Sequence, residues 1–479
     1  MPGADFAIFT GGEEAAYKIL ERNPTLFLSA ETGGKNATIV SKMADRDQAI
    51  KNVIHSAFSN SGQKCSATSL LILEKEVYED EHFKRALTDA AQSMAVGDPL
   101  QLKNKIGYLS DTIDEKVQAG LTLQVGEEWS LAPSFEGDNP YAMKPCIKYG
   151  VKEGSFSHLT EFFAPVLSVM CANDLSQALH IANSTGYGLT SGLESLDERE
   201  WDYYLRHIEA GNIYINKPTT GAIVIRQPFG GIKKSAVGFG RKAGGYNYVT
   251  QFVNIKPRLD SKPKADSTPG GSVFEDRFQH FVSTRMRGHE YEARLNSLLD
   301  SVRSYSYYNE VEFMQTRDDA NIRGEDNLFY YKPVGSVIYR VCQEDSLEDI
   351  LRIIAACEIV NTRLTLSIKA TQISPDLEFV LENVKILGLQ NLSIDHESEE
   401  EFIKRAGSYG LIRYLGSLDS NSQICQRLIK NGEANGKLIA NHRPHHNGYF
   451  ELLYYHTERS ASIAYHRYGN LGRRSLSGA

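Results

Sequence analysis

The chain has 479 residues, more than a single hydrophobic core ordinarily holds, so two or three domains are expected. Hydrophobic residues make up 41% and charged residues 23%, as in ordinary globular proteins, and a net charge of −8 offers no basic face to nucleic acid. No stretch of about 18 consecutive apolar residues provides a membrane span, and Met1-Pro2-Gly3-Ala4-Asp5 lacks the layout of a signal peptide. The six cysteines, Cys65, Cys146, Cys171, Cys342, Cys357 and Cys425, are scattered without a C-x-x-C pair. Neither a disulfide framework nor a zinc site is expected, and a reducing, cytoplasmic setting is the default.

In chain order, Asp5 to Thr10 reads as a short buried strand. Glu13 to Leu20 reads as a helix after Gly11-Gly12, and Thr25 to Ala30 as a second strand. Asp45 can cap a helix whose apolar positions Ile50, Val53, Ile54, Ala57 and Phe58 fall at helical spacing. Glycine and small polar residues end that helix at Ser61-Gly62, before Cys65, and Ser69 to Leu73 is again strand-like. This alternation indicates an α/β architecture with a largely parallel sheet. Lys256 to Ser272 is dominated by Pro, Gly, Ser and charge and reads as a linker. Beyond it, Gly335 to Val341, Leu364 to Ile368 and Gly410 to Tyr414 look like strands, with a helix over Leu347 to Ala356. His442, His445 and His446 lie in NHRPHHN, a spacing poor for zinc with no acidic or cysteine ligand close in sequence, so a solvent-exposed polar loop is expected and no metal.

Taken alone, Cys65 is weak as a nucleophile, because a lone cysteine is more often a small buried hydrophobe. Its neighbours in GQKCSA are small, which leaves backbone N–H groups free to face an oxyanion. Glu31, in AETGGKNATIV, taken alone is an ordinary carboxylate at a strand end, but two glycines after it permit a tight turn. The two segments in this order, with Cys65 34 positions after Glu31, resemble the aldehyde dehydrogenase superfamily. Further segments follow in that family's order: Glu161-Phe162-Phe163-Ala164-Pro165, Asn183 to Leu189, Gly211 to Asn216 and Gln227-Pro228-Phe229-Gly230-Gly231. The resemblance covers roughly residues 5–255.

The resemblance implies that Cys65 attacks an aldehyde to give a thiohemiacetal, that hydride passes to NAD, and that Glu31 activates the water that releases the acid. It implies cofactor contacts at Gly11 and Gly12, at a helix N-terminus that attracts anions, and at Glu161 and Phe163. Thr219 to Val224, followed by Arg226 to Gly231, resembles the anchor loop of glutamate-γ-semialdehyde (1-pyrroline-5-carboxylate) dehydrogenases. There Gly221 and Ala222 would bind the α-carboxylate through backbone N–H groups, Ser66 would assist, and Phe229 would pack on the substrate chain. Lys242 to Gly245 also resembles that subfamily, and Glu458-Arg459-Ser460 resembles the last segment of long proline utilization A proteins. In those proteins an extra C-terminal Rossmann-like domain covers the active site.

The implied division is 1–30 as the remnant of an NAD-binding domain, 31–220 as the catalytic domain, 221–255 as its end, 256–272 as linker and 273–479 as a C-terminal α/β domain. The cofactor domain is expected to be incomplete, and the chain to be a fragment or one half of a split enzyme. Its partners would be a missing N-terminal half or a proline dehydrogenase module, with assembly into a homo-oligomer. Gly12 stands where the family has serine, and Ala164 where it has glycine. Two alternatives stay open: a different aldehyde, or a non-catalytic assembly subunit that keeps the fold.

Overall fold

A computed structural model describes residues 4–24, 26–256, 273–286, 292–369, 373–416, 423–430 and 438–465. The expected linker beyond Lys256 lies outside the described residues. Strands are numbered along the chain. The first unit begins with β1 (Phe6–Thr10), helix α1 (Glu13–Arg22) and β2 (Phe27–Glu31). β1 pairs in parallel with β2, and β12 (Ala236–Val237) closes the other side of β2 antiparallel. This βαβ piece spans the residues expected to belong to a cofactor-binding domain.

The central sheet has nine strands. Its inner strands run parallel in the order β19 (His456–Ala464), β10 (Asn212–Ile215), β9 (Thr190–Glu194), β3 (Asn36–Val40), β4 (Thr68–Glu74), β7 (Val166–Ala172) and β6 (Cys146–Tyr149). β13 (Glu325–Pro333) and β5 (Glu128–Leu131) run antiparallel at the two edges. Every residue of β3, β9 and β10 is buried, as expected of parallel strands covered on both faces. Helix α2 (Arg46–Phe58) lies on one face, with Ile50, Val53, Ala57 and Phe58 packed against Leu71, Leu73 and Val169. Asp45 caps it as expected, its carboxylate accepting from Gln48 N–H at 3.0 Å.

A second, five-stranded sheet lies in the C-terminal part, all parallel, in the order β16 (Leu392–His396), β15 (Arg363–Ile368), β14 (Ser336–Arg340), β17 (Leu411–Tyr414), β18 (Ile439–Ala440). The first strand sits in the middle and the order winds outward both ways, which is the doubly wound pattern. The two parts are not separate in space. β13 and β19 come from the C-terminal part yet complete the central sheet, β19 pairing Ser460 with Asn212 and Ile463 with Ile215. Ala461 and Ile463 share one core with Trp201, Tyr204 and Ile213, and Leu328 and Tyr330 pack against it.

The histidine segment differs from its expected form. His442 and His445 are half-buried and stacked on each other, and Glu451 brings a carboxylate to them, with all three ligand atoms within 4.8 Å. The acidic group that sequence proximity did not supply arrives through folding. An arginine already occupies the cluster: Arg413 donates to Glu451 Oε1 at 3.2 Å and lies 3.2 Å from His442 Nε2. The other nitrogen of His442 meets the Arg443 carbonyl at 2.8 Å. A guanidinium at this position opposes a metal cation, and the cluster acts as the polar cage of a buried ion pair.

Candidate active site

Glu31 ends β2, where the chain must turn at once to reach β3. Gly33, at φ +88°, makes that turn, and a Cβ on it would stand 2.4 Å from Glu161 Oε2. The same turn points Gly34 N–H at Glu161 Oε1, 2.9 Å away. Glu31 is held from the other side by Gly231 N–H, 2.9 Å from its Oε2. Burial pushes the Glu31 carboxyl above the ordinary carboxylate range, while the Gly231 hydrogen bond and the nearby Lys242 charge pull it back.

Cys65 follows α2 through a short kinked turn, Ser59–Gly62, in which Asn60, Ser61 and Gly62 all adopt left-handed backbone conformations. A side chain at Gly62 would meet the Ala164 carbonyl at 2.5 Å. Asn36 on β3 fixes what comes next, its amide donating to Cys65 O at 2.6 Å and to Ala67 O at 3.0 Å. The thiol is half-buried. Burial raises its proton affinity, the Glu31 and Glu161 charges raise it further, and the Ser66 and Cys65 backbone N–H groups oppose both. Cys65, Glu31 and Glu161 therefore share one electrostatic neighbourhood, in which backbone N–H groups favour an anion at the thiol.

Within the stretch read as an anchor loop, Thr219 to Val224 followed by Arg226 to Gly231, residues 221–225 are exposed and the flanks on either side are pinned. Upstream, Thr219 Oγ1 donates to Ser66 O at 2.9 Å, tying the loop to the residue after Cys65. Downstream, Phe229 and Ala243 exchange backbone hydrogen bonds of 2.9 and 2.7 Å. Gly221 is at φ +97° with open space around its missing Cβ, and Ala222 beside it is exposed. Ser66 itself is buried. Lys217 and Arg226 both pair with Glu325 on β13, and Gln227 donates to Ser462 on β19 at 2.6 Å. The C-terminal strands thus brace the loop from behind.

Gly11 and Gly12 precede α1, with Gly12 as its N-cap in an extended conformation and Gly11 N–H donating to the Glu31 carbonyl at 3.1 Å. Phe163 is held at φ +53° and the residue is 43% exposed, an uncommon setting for a bulky residue and one suited to a stacking surface. The Glu161 carboxylate, the exposed residue two positions on and a helix N-terminus without a side-chain cap are groups that could hold the ribose and pyrophosphate of a dinucleotide.

Sequence reasoning missed Asn36, Lys242 and Lys35 as members of this site. Lys242 is fully buried beside Glu31, and Lys35 is buried with its Nζ 4.7 Å from the Phe162 ring and no hydrogen-bond partner among the described residues. Burial pushes the Lys35 ammonium down to about 7. All three stand within motifs that were recognised, but nothing in a lysine's spacing tells a buried side chain from a solvated one.

The profile of the Aldehyde dehydrogenase family matches residues 1–257, more than half of the chain. The chain belongs to the aldehyde dehydrogenase family. The 1-pyrroline-5-carboxylate dehydrogenase 1 of Halalkalibacterium halodurans is 34% identical over 268 residues, 53% of this chain and 51% of that protein. The 1-pyrroline-5-carboxylate dehydrogenase of Bacillus cytotoxicus is 34% identical over 266 residues, with the same shares. The chain spans about half the length of the curated relatives it matches. A solved structure of Proline Utilization A from Corynebacterium freiburgense is similar over 97% of this chain and 42% of its own length, with a TM-score of 0.77 and 32% identity. That similarity extends beyond the family region and takes in the C-terminal part.

Proposed function

We propose that this chain carries the catalytic centre of an NAD-dependent dehydrogenase that oxidises glutamate γ-semialdehyde to glutamate. The observation that supports it best is the tie between the substrate loop and the reacting groups. Thr219 joins the loop to Ser66, next to the nucleophile, and Gly231, at the loop's far end, holds the base. A substrate whose α-carboxylate is bound by the bare N–H groups at Gly221 and Ala222 would present its aldehyde to Cys65, with Phe229 packed along the methylenes.

In this reading Cys65 adds to the aldehyde carbon, and its own backbone N–H receives the developing oxyanion. Gly11, Gly12, Glu161 and Phe163 would hold NAD, which supplies the hydride acceptor. Glu31 takes the proton from the water that cleaves the Cys65 thioester. Its raised proton affinity suits a base working near neutrality, with Gly231 N–H as its donor. The names of the curated relatives support the choice of aldehyde, as does the anchor-loop sequence.

The outer edge of β1 has no strand partner among the described residues. We propose that a further strand-bearing segment of a cofactor domain pairs there, in the larger context of a proline dehydrogenase module. Glutamate γ-semialdehyde should protect Cys65 of the purified chain from iodoacetamide at concentrations where propanal does not. With NAD, it should also be oxidised in preference to propanal. Equal protection by the two aldehydes, or faster turnover of propanal, would overturn the substrate assignment.

A further inference from the structure

Lys242 follows β12 and is completely buried. Its Nζ donates to Gly230 O at 2.6 Å and to Asn212 Oδ1 at 2.9 Å. Asn212 grips the same turn, accepting from Gly230 N–H at 3.1 Å and donating to Pro228 O at 3.0 Å. That turn ends in Gly231, whose N–H holds Glu31. Gly230 separates the two charged side chains: a Cβ on it would stand 3.2 Å from Glu31 Oε1 and 3.4 Å from Lys242 Cγ. Gly211 is equally confined, its missing Cβ lying 2.0 Å from Gly230 O and 3.1 Å from Lys242 Nζ. The packing leaves room for a lysine stem and an ammonium, and for little else.

The backbone of Lys242 is held by the C-terminal part. Its N–H donates to Glu458 Oε2 on β19 at 2.8 Å, and Glu458 Oε1 accepts from Asn247 Nδ2 at 2.9 Å. Arg241 Nη1 stands 3.7 Å from the same carboxylate. Burial pushes the Lys242 ammonium down to about 7; the Glu31 and Glu458 charges oppose this by favouring the ammonium, and the Arg459 charge adds to it. Lys242 is the charge that acts on Glu31, while the Cys65 thiol feels Glu31 and Glu161. A buried ammonium without an acid beside it would lose its proton. Here the charges of two carboxylates, Glu31 on β2 and Glu458 on β19, act to keep it.

We propose that Lys242 is a positioning residue for the Glu31 carboxylate, and that Glu458, reaching in from β19, holds Lys242 in that role. The proposal rests on the reading of Glu31 as the base. It assigns the C-terminal part a share in the reaction besides bracing the sheet. Glu458 favours the charged form of Lys242, Lys242 favours the charged form of Glu31, and the lysine's two hydrogen bonds keep Gly231 N–H aimed at the base.

The test uses the full chain with carbon-13 at the glutamate carboxyls, the Glu31 resonance being the one lost in Glu31→Gln. In Lys242→Met the Glu31 titration midpoint should rise by about one pH unit. Glu458→Gln should raise it in the same direction when Lys242 is present and leave it unmoved in the Lys242→Met background. A midpoint that stays in place in folded Lys242→Met overturns the proposal, as does a Glu458→Gln shift that persists in full without the lysine. If Lys242→Met does not fold, Glu458→Gln alone decides: no shift overturns it. Loss of an acetyl group placed on Cys65, followed by mass spectrometry against pH, separates this proposal from the one beneath it. A deacetylation profile that moves with the Glu31 midpoint supports both. If the profile ignores a midpoint that has moved, Glu31 is not the base, and the positioning role falls with it. If instead the midpoint itself does not move, only the Lys242 proposal fails.

Discussion

The thiol of Cys65 is held protonated by its surroundings, since burial and two carboxylates outweigh the backbone N–H groups that favour the anion. Removing one carboxylate should therefore free it. Glu161→Gln and Glu31→Gln are each expected to speed alkylation of Cys65 by iodoacetamide at neutral pH by about threefold to tenfold, up to one unit of thiol pKa. Glu31→Gln should at the same time slow hydrolysis of acetyl-Cys65 by about 100-fold or more, the usual share of a general base. Faster labelling with slower release, measured on one variant, separates a base from a residue that merely packs. Cys65 and Glu31 were legible in the sequence because their motifs keep a fixed order. Asn36 and Lys242 were not. Their importance comes from where their side chains end, on the Cys65 and Gly230 carbonyls, and no local pattern encodes that.

Among the elements, β1, β2, β4, α1 and α2 follow the apolar spacing read from the sequence within a few residues. β3 has no clear apolar alternation because it begins two residues after Gly34 and carries Asn36 and Thr38 among its apolar positions. Both are polar yet buried, with Thr38 Oγ1 2.7 Å from Thr68 Oγ1 on β4. A further buried polar pair joins α2 to β9: Asn52 Nδ2 donates to both oxygens of Glu194, at 2.9 and 3.1 Å. Burial pushes Glu194 up to about 8. Folding thus favours its protonated form, so its contribution to stability is complete below the unfolded carboxylate range and is lost as pH rises through about 8. Glu194→Gln keeps the hydrogen-bonded shape without the charge. It should be more stable than the parent at pH 9 by about 4 kcal/mol and within about 1 kcal/mol of it at pH 5, as measured by urea unfolding.

At the scale of the whole molecule, the linear division near residue 256 and the spatial one do not coincide. Sequence patterns mark where strands lie, but they do not say which sheet a strand joins, and β13 and β19 cross over. The C-terminal part is itself organised around Arg413 and Glu451, both fully buried, with Tyr455 donating to Glu451 at 3.1 Å. Glu451→Gln leaves the guanidinium uncompensated and should cost about 3–5 kcal/mol in equilibrium unfolding. Cutting the chain after Leu453 removes β19 and bares the edge of β10. The expected result is aggregation and binding of a hydrophobic dye by the catalytic part as well as the C-terminal one. The place of β19 also has a consequence in time. On the ribosome, β10 is made long before its neighbour: Asn212 must wait until Ser460 has been synthesised. At about 5–20 residues per second the nascent chain spends on the order of ten seconds or more with an unfinished sheet. Synthesis rate and chaperone supply, rather than final stability, should then set how much of this protein reaches its native form.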